Sequence, residues 1–416
     1  MANISIYGSI KDYNPELKRI IKISKYLRTL KKGKETSWEQ AAEWHLKYAN
    51  LNGKKVLALT IILSPTGCDW ARKGGCTMCG EFEGAHKRKT LINNPQFHIS
   101  QFASAVGNPE IWKAARKENI PISWLRIYQE GNYTNPKETS VKSQEIILRL
   151  AAHIAGIKKV TIESRPQYLN EENVSSLSKI FNRTDIEFEI GMGLEARNDI
   201  VRNVCINKQG TEKQFKDAVK LLKKYNILPL AYVLLKPPFL TEKEAIDEAV
   251  STAHFAANIG FFRISFEPMS IHPYTLVDAL RQTESYKSPW LWSVIEVTKQ
   301  CADISKFFGI GGIGYYPIPK EYAHNHCDIK NNCNKKLVKA ILNYNTTRDV
   351  SVFNGLSCSC KRVWEKECQI NSGSLKNRMQ EQLTLVEKLL HDYTGNILSN
   401  NDKMRSMRII ANGFQK

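Results

Sequence analysis

The sequence predicts an α/β fold with a mainly parallel sheet. Short apolar runs of strand length alternate with amphipathic helical patterns along most of the 416 residues. Short polar motifs recur where the strand-like runs end. Alternating strands and helices build parallel sheets, and an open sheet and a curved partial barrel both fit this order. In either case reactive groups gather at the C-terminal ends of the strands.

Taken in order, Glu16 to Leu30 carries Leu17, Ile20, Ile21, Leu27 and Leu30 at helical spacing, with Ser24 as the gap. The other face holds Lys18, Lys22, Lys25 and Arg28, followed by Lys31, Lys32 and Lys34. That basic face is open to two readings, a solvated surface or a nucleic-acid contact. A second helix is predicted over Trp38 to Tyr48, capped by Ser37. Strands are predicted over Val56 to Leu63, Trp124 to Tyr128, Lys159 to Ile162, Ile186 to Ile190, Pro229 to Leu235 and Phe262 to Phe266. Helices are predicted over Ile99 to Lys117 with a break at Gly107 and Pro109, then Lys142 to Ala155, Glu171 to Phe181, Glu212 to Lys224 and Glu242 to Ala257. Gly309 to Pro317 breaks regular structure, and Ser374 to Tyr393 reads as an amphipathic helix. The expected division is a basic helical extension at 1–55, the strand–helix body at 56–308 and a cysteine-rich region at 309–416.

At 42% hydrophobic the chain can bury a sizeable core, which excludes disorder throughout. No basic start followed by an apolar block opens it, and its apolar runs fall short of the about 20 residues that span a bilayer. The expectation is a soluble, cytoplasmic protein with no membrane contact. A net charge of +19 and a pI near 9.4 attract polyanions, nucleic acid above all, although a lysine-rich host gives the same composition. With ten cysteines in a reducing compartment, clusters point to metal or catalysis rather than disulfides. Cys205 and Cys301 stand alone and are expected in the core.

Cys68 follows the first body strand, seven residues separate it from Cys76, and two separate Cys76 from Cys79. Gly74, Gly75 and Gly80 let this loop wrap closely around a bulky group. Three thiolates can hold three irons of a cubane cluster and leave the fourth open to a small molecule. A structural zinc site completed by His86 is the competing reading.

The run Gly67-Cys68-x-Trp70-x-x-x-Gly74-Gly75-Cys76-x-Met78-Cys79-Gly80 resembles the signature loop of the radical S-adenosylmethionine superfamily, in a variant spacing. More narrowly, it resembles the radical enzymes of archaeosine biosynthesis, which are related to the catalytic subunit of elongator. The resemblance extends from about Gly67 to Trp364. It implies a partial (β/α)6 barrel, a 4Fe-4S cluster on Cys68, Cys76 and Cys79, and S-adenosylmethionine chelated to the open iron. It also places Gln129, Glu130, Gly131 and Asn132 where the superfamily has the turn that meets the cofactor's amino group. Glu163 and Arg165 resemble the Glu-x-Arg-Pro motif of the elongator-like group, Glu189 or Glu195 is a candidate for the ribose hydroxyls, and Lys236 lies on the same rim. Each of these has a plainer alternative, such as a Glu163–Arg165 ion pair.

The chemistry implied is reductive cleavage of S-adenosylmethionine to a 5′-deoxyadenosyl radical. The implied substrate is a lysine-bearing 7-deazaguanine in tRNA, cleaved at a carbon–nitrogen bond of the lysine to give archaeosine. The implied partners are tRNA, a transglycosylase-type protein that attaches the lysine, and an electron donor. A small molecule or a deazaguanine in DNA is the alternative substrate. The region 309–416 is too short for the acetyltransferase domain of elongator.

Cys327, Cys333, Cys358 and Cys360 form a second group, with His324 and His326 beside it. Four thiolates suit a structural zinc ion, and an auxiliary iron–sulfur cluster with Cys368 as an extra ligand is the rival. Lys361, Arg362 and Trp364 follow directly, so a non-enzymatic zinc protein that binds nucleic acid is the remaining function class.

Overall fold

The computed structural model describes residues 7–31, 42–63, 68–80, 94–129, 131–313, 319–327 and 333–395. Its centre is one eight-stranded sheet in sequential order. The strands are β1 (Glu43–Leu51), β2 (Lys54–Ile62), β3 (Ile122–Tyr128), β4 (Lys159–Glu163), β5 (Glu187–Glu195), β6 (Leu228–Leu235), β7 (Arg263–Pro268) and β8 (Phe308–Ile310). From β2 onward every neighbouring pair is parallel, and β1 runs antiparallel to β2 at the edge. One cavity is lined by residues of both β1 and β8, so the sheet curls into a half-barrel.

Helices surround the sheet. They are α1 (Asn14–Leu30), α2 (Gln96–Val106), α3 (Pro109–Glu118), α4 (Val141–Ala152), α5 (Glu171–Phe181), α6 (Glu212–Lys224), α7 (Glu242–Ile259), α8 (Leu276–Gln282), α9 (Leu291–Gln300), α10 (Cys333–Thr347), α11 (Cys360–Glu367) and α12 (Leu375–Gly395). Several start where the sequence announces it. Asn170, Thr211 and Thr241 each cap a helix with a reciprocal capping box. Pro109 opens α3 behind the Asn108 cap, which accounts for the expected break between α2 and α3.

The helix expected over Trp38 to Tyr48 is replaced from Glu43 by strand β1; Ser37 and the start of that segment lie outside the described residues. Asn52 and Gly53, both at positive φ, form the two-residue turn that pairs Leu51 with Lys54. Asn-Gly is the turn that folds two strands into a tight hairpin, and this tertiary pairing overrides the helical spacing. Similarly, β8 runs through Gly309 and Ile310, where a break was expected. The boundaries expected at 55/56 and 308/309 therefore both fall within the sheet. Buried side chains from Tyr13 to Leu390 form the main core, with a small separate cluster of Ala49, Val56, Ala58 and Trp124.

α10 closes the open side of the half-barrel. The Asn345 side chain accepts from Ile310 N at 2.8 Å and donates to Ile310 O at 2.6 Å, occupying the free edge of β8 as a neighbouring strand would. At the next residue, Thr346 O accepts from the Asn50 side chain of β1 at 2.6 Å. Both sheet edges are thus tied to one helix.

Candidate active site and metal centres

The loop that carries Cys68, Cys76 and Cys79 is held through its backbone from three sides. From α1, Arg28 donates to Cys76 O at 2.9 Å and Lys31 to Gly80 O at 3.0 Å. From the segment after β5, Asn207 donates to Gly75 O at 2.8 Å and accepts the Trp70 indole at 2.7 Å. The Thr77 hydroxyl donates to Cys205 O at 2.9 Å, at the end of a π-helical turn over Val201–Cys205. From the segment after β3, the buried Glu138 carboxylate accepts Asp69 N at 3.0 Å. Glu138 also accepts Asn135 Nδ2 at 2.7 Å and both the backbone and side chain of Asn132. Gly75 sits at φ 66°, and a Cβ there would lie 2.7 Å from the Arg28 guanidinium. These anchors act on the backbone of the loop and on Trp70 and Thr77, and not on the three thiols.

The donor set fits an iron–sulfur cubane. Burial, with Glu138 adding to it, pushes the Cys68 thiol up to about 11. A thiolate at that position therefore needs a strong cation, which a cluster iron supplies. Cys76 and Cys79 line the mouth of the barrel cavity, a space of about 1240 Å³. Gln129 lines the same mouth, buried, with both polar atoms of its amide unpartnered among the described residues. Buried amides are ordinarily satisfied, so this one is suited to a polar ligand beside the cysteine loop.

Glu163 and Glu195 also line the cavity. Burial raises Glu163 to about 7 against the Tyr232 hydrogen bond, with Glu267 raising it further. Glu195, at φ 61° after a bulge in β5, pairs with Lys208 at 2.8 Å. That contact holds the Lys208 ammonium above its ordinary range despite burial. Tyr128 and Tyr232 meet through their hydroxyls at 3.2 Å.

The second cysteine group is also assembled. Cys327, Cys333, Cys358 and Cys360 place their sulfurs within 4.8 Å of one another. Cys327 lies 3.5 Å from Cys358 and Cys333 lies 3.7 Å from Cys360. Cys333 and Cys360 are the first residues of α10 and α11. Cys368 stands outside the group and is raised to about 12 by burial and by Glu242.

No family model matches the chain. An uncharacterized protein of Methanocaldococcus jannaschii is 31% identical over 76% of this chain and 84% of its own length. Archaeosine synthase subunit beta of Methanosarcina acetivorans is 30% identical over 80% of this chain and 90% of that one. The chain belongs to the archaeosine synthase subunit beta family. Among solved structures, the Elp3 of Methanocaldococcus infernus aligns over 59% of this chain and 58% of its own, with 13% identity and a TM-score of 0.42. The curled, mainly parallel sheet is the partial barrel that the resemblance in the sequence implies.

In this member of the archaeosine synthase subunit beta family the expected rim residues separate into two sets. Gln129, Glu163 and Glu195 face the cavity. Glu189 does not reach the rim. β5 runs on to Glu195, so Glu189 lies deeper, fully buried, where Lys159 at 2.8 Å and Arg263 at 2.6 Å bind it. Those cations hold its carboxyl well below the usual range against burial, and both oxygens are occupied. Lys236 is buried in an ion pair with Glu242 at 2.6 Å, outside the cavity lining. Arg165 also lies outside the lining; it donates to Lys208 O and sits over the Trp70 ring instead of pairing with Glu163. The Asn132 side chain is committed to Glu138, and neither it nor Gly131 lines the cavity. Glu130 and His86 lie outside the described residues.

Tyr128, Tyr232 and Lys208, which the sequence did not single out, also line the site, as does Glu267. Tyr128 and Glu267 each fall at or one residue before a strand end, the signal that selects Glu163; Lys208 comes from a loop that carries no such signal.

Proposed function

We propose that the chain is the radical enzyme of archaeosine formation, acting on a lysine-bearing 7-deazaguanine in tRNA by carbon–nitrogen cleavage within the lysine. The single observation that carries this reading is the backbone-held loop that presents Cys76 and Cys79 to a large cavity with ionisable side chains on its wall, in a chain of this family. Cys68, Cys76 and Cys79 would hold a 4Fe-4S cluster, which with S-adenosylmethionine supplies hydrogen-atom abstraction when bound. The chain's own residues orient and shield. Among the described residues Gln129 offers an unspent donor and acceptor beside the loop. The Glu195–Lys208 pair fixes a carboxylate at the rim for hydroxyl groups. Glu163, raised to about 7, is able to hold or release a proton near neutrality at its carboxyl oxygen.

Subunit beta in the relatives' name supports a partner subunit, to which the sequence resemblance gives the attachment of the lysine, and an electron donor is needed for reductive cleavage. For the second site we favour a single zinc ion. Four sulfurs at about 2.3 Å from one ion stand roughly 3.8 Å apart when tetrahedral. The 3.5 and 3.7 Å separations match that, whereas cubane ligands bind different irons and lie farther apart.

Anaerobic reconstitution tests the reading. The protein should turn brown, and release 5′-deoxyadenosine from S-adenosylmethionine under dithionite. A triple Cys68, Cys76, Cys79 to Ala variant should do neither. A colourless wild type that carries zinc alone would refute it. With lysine-bearing tRNA, archaeosine should form.

A further inference from the structure

Deep in the cavity, below the cysteine loop, three arginines converge from separate elements: Arg126 of β3, Arg263 of β7 and Arg348 just after α10. Arg263 is neutralised by Glu189. The other two have no carboxylate partner among the described residues. Arg126 lies over the Trp124 ring at 4.3 Å, with its Nε buried and unpartnered. Arg348 donates to the Asn345 amide oxygen at 3.2 Å and lies near the Tyr344 ring. Lys47 of β1 adds to the same positive field. Burial, with Arg263 and Arg126 adding to it, brings Arg348 down to about 10. Burial and then Arg126 likewise lower Lys47. Cations brought together out of water repel one another and lose hydration, a cost that a bound anion offsets.

The seat of Arg348 is built. It projects from the end of the helix that closes the barrel, and its guanidinium lies over Gly309, where a Cβ would come within 2.9 Å of Nη1. Acid is present on the same cavity wall in Glu163 and Glu267. One cavity therefore offers both a guanidinium pair and carboxylates.

We propose that Arg126 and Arg348 anchor the free α-carboxylate of the amino acid carried by the substrate, with Glu163 and Glu267 facing its α-ammonium. This rests on the reading above and takes the lysine as joined to the base through its side-chain nitrogen. Such a linkage leaves the α-carboxylate and α-ammonium free at the far end of a flexible chain. A guanidinium matches a carboxylate with two parallel hydrogen bonds, and two guanidinia converging on one site favour a compact terminal anion. A backbone phosphodiester is flanked by nucleotides on both sides, and the inner wall of a half-barrel does not admit them. The base and its polynucleotide would remain at the mouth, near Gln129, and the four-carbon side chain would span the space between.

The test compares two nucleosides, the lysine-bearing deazaguanosine and its counterpart built with 1,5-diaminopentane, which lacks only the carboxylate. The reconstituted wild type should show a KM on the order of 10- to 100-fold lower for the lysine compound, the range for a charge-assisted pair. Arg126→Gln and Arg348→Gln should each raise the KM for the lysine compound and bring the two compounds close together. Arg126→Lys and Arg348→Lys, which keep the charge and most of the packing, should give intermediate discrimination and guard against a folding loss. Equal KM values for both compounds in the wild type, or full discrimination in both Gln variants, overturn the anchor and leave the enzyme's assignment standing. Turnover of neither compound, when lysine-bearing tRNA is also untouched, overturns the assigned substrate and the anchor with it.

Discussion

At the scale of single residues, the half-barrel interior is governed by ionisable groups whose surroundings set their state. Glu163 is raised from 4.5 to about 7 by burial, in the company of Glu267, Glu195, Lys208 and Tyr232. Between these values the unfolded chain releases a proton that the folded chain keeps, so this group's contribution to stability falls as pH rises from about 4.5 to about 7. Glu163→Gln has no proton to release. Chemical denaturation across pH 5 to 7.5 should show wild-type stability declining relative to that variant; parallel curves would argue against the raised value. Glu189 behaves in the opposite way. It is fully buried between Lys159 and Arg263, and removing it strands two cations. Glu189→Ala should therefore cost about 3–5 kcal/mol in denaturant unfolding. In the sequence these two glutamates look alike, each near the end of an apolar run. Their difference is one of depth along the strand, which depends on where β5 stops.

At the scale of elements, the cysteine loop and α10 show how local segments depend on partners distant in sequence. Gly75 gives Arg28 of α1 room to reach the loop. Gly75→Ala strains a positive-φ backbone and crowds that guanidinium, so iron content per reconstituted chain should fall well below wild type. α10 starts at a cysteine of the four-sulfur group and ends near Arg348, with Asn345 clamped to β8 between them. Metal at Cys327, Cys333, Cys358 and Cys360 would fix one end of the helix that seals the barrel. Cys333→Ser should lose about one zinc per chain by elemental analysis and lower the unfolding midpoint. Loss of iron rather than zinc in that variant would favour the auxiliary cluster. Most helices and strands were legible because caps and periodicity agree with the packing. The helix predicted up to Tyr48 failed because a hairpin turn at Asn52-Gly53 outweighed a helical spacing.

At the scale of the whole molecule, the main core runs from Tyr13 to Leu390, and the two ends of the described chain meet on it. Arg19 of α1 pairs with Glu387 of α12 at 2.9 Å, and Glu16 accepts from Gln380 at 2.7 Å. The basic lead-in and the cysteine-rich end are thus parts of the barrel's own support. Among the described residues no helix is long and apolar enough to cross a membrane. The net charge of +19 belongs to the molecule as a whole. If tRNA is the substrate, its affinity should drop steeply between 50 and 200 mM salt, through release of counterions from the phosphates. Filter binding that hardly changes over that range would point to a small molecule instead.

The sequence by itself determined the parallel α/β order, the three-cysteine loop after a strand, and the four cysteines of the second site. Those features are local in the chain or written in residue type and spacing. Only the tertiary structure decided which rim residues face the cavity and which are spent elsewhere. Among the described residues the Gln129 amide has no partner beside the loop, whereas Glu189, Lys236 and Asn132 are consumed by Arg263, Glu242 and Glu138. It also brought Arg126 and Arg348, 222 residues apart in numbering, to the same cavity wall. The physical reason is common to both. A side chain's chemistry is fixed by its type, but its availability depends on what the fold pairs it with, and those partners lie far away along the chain.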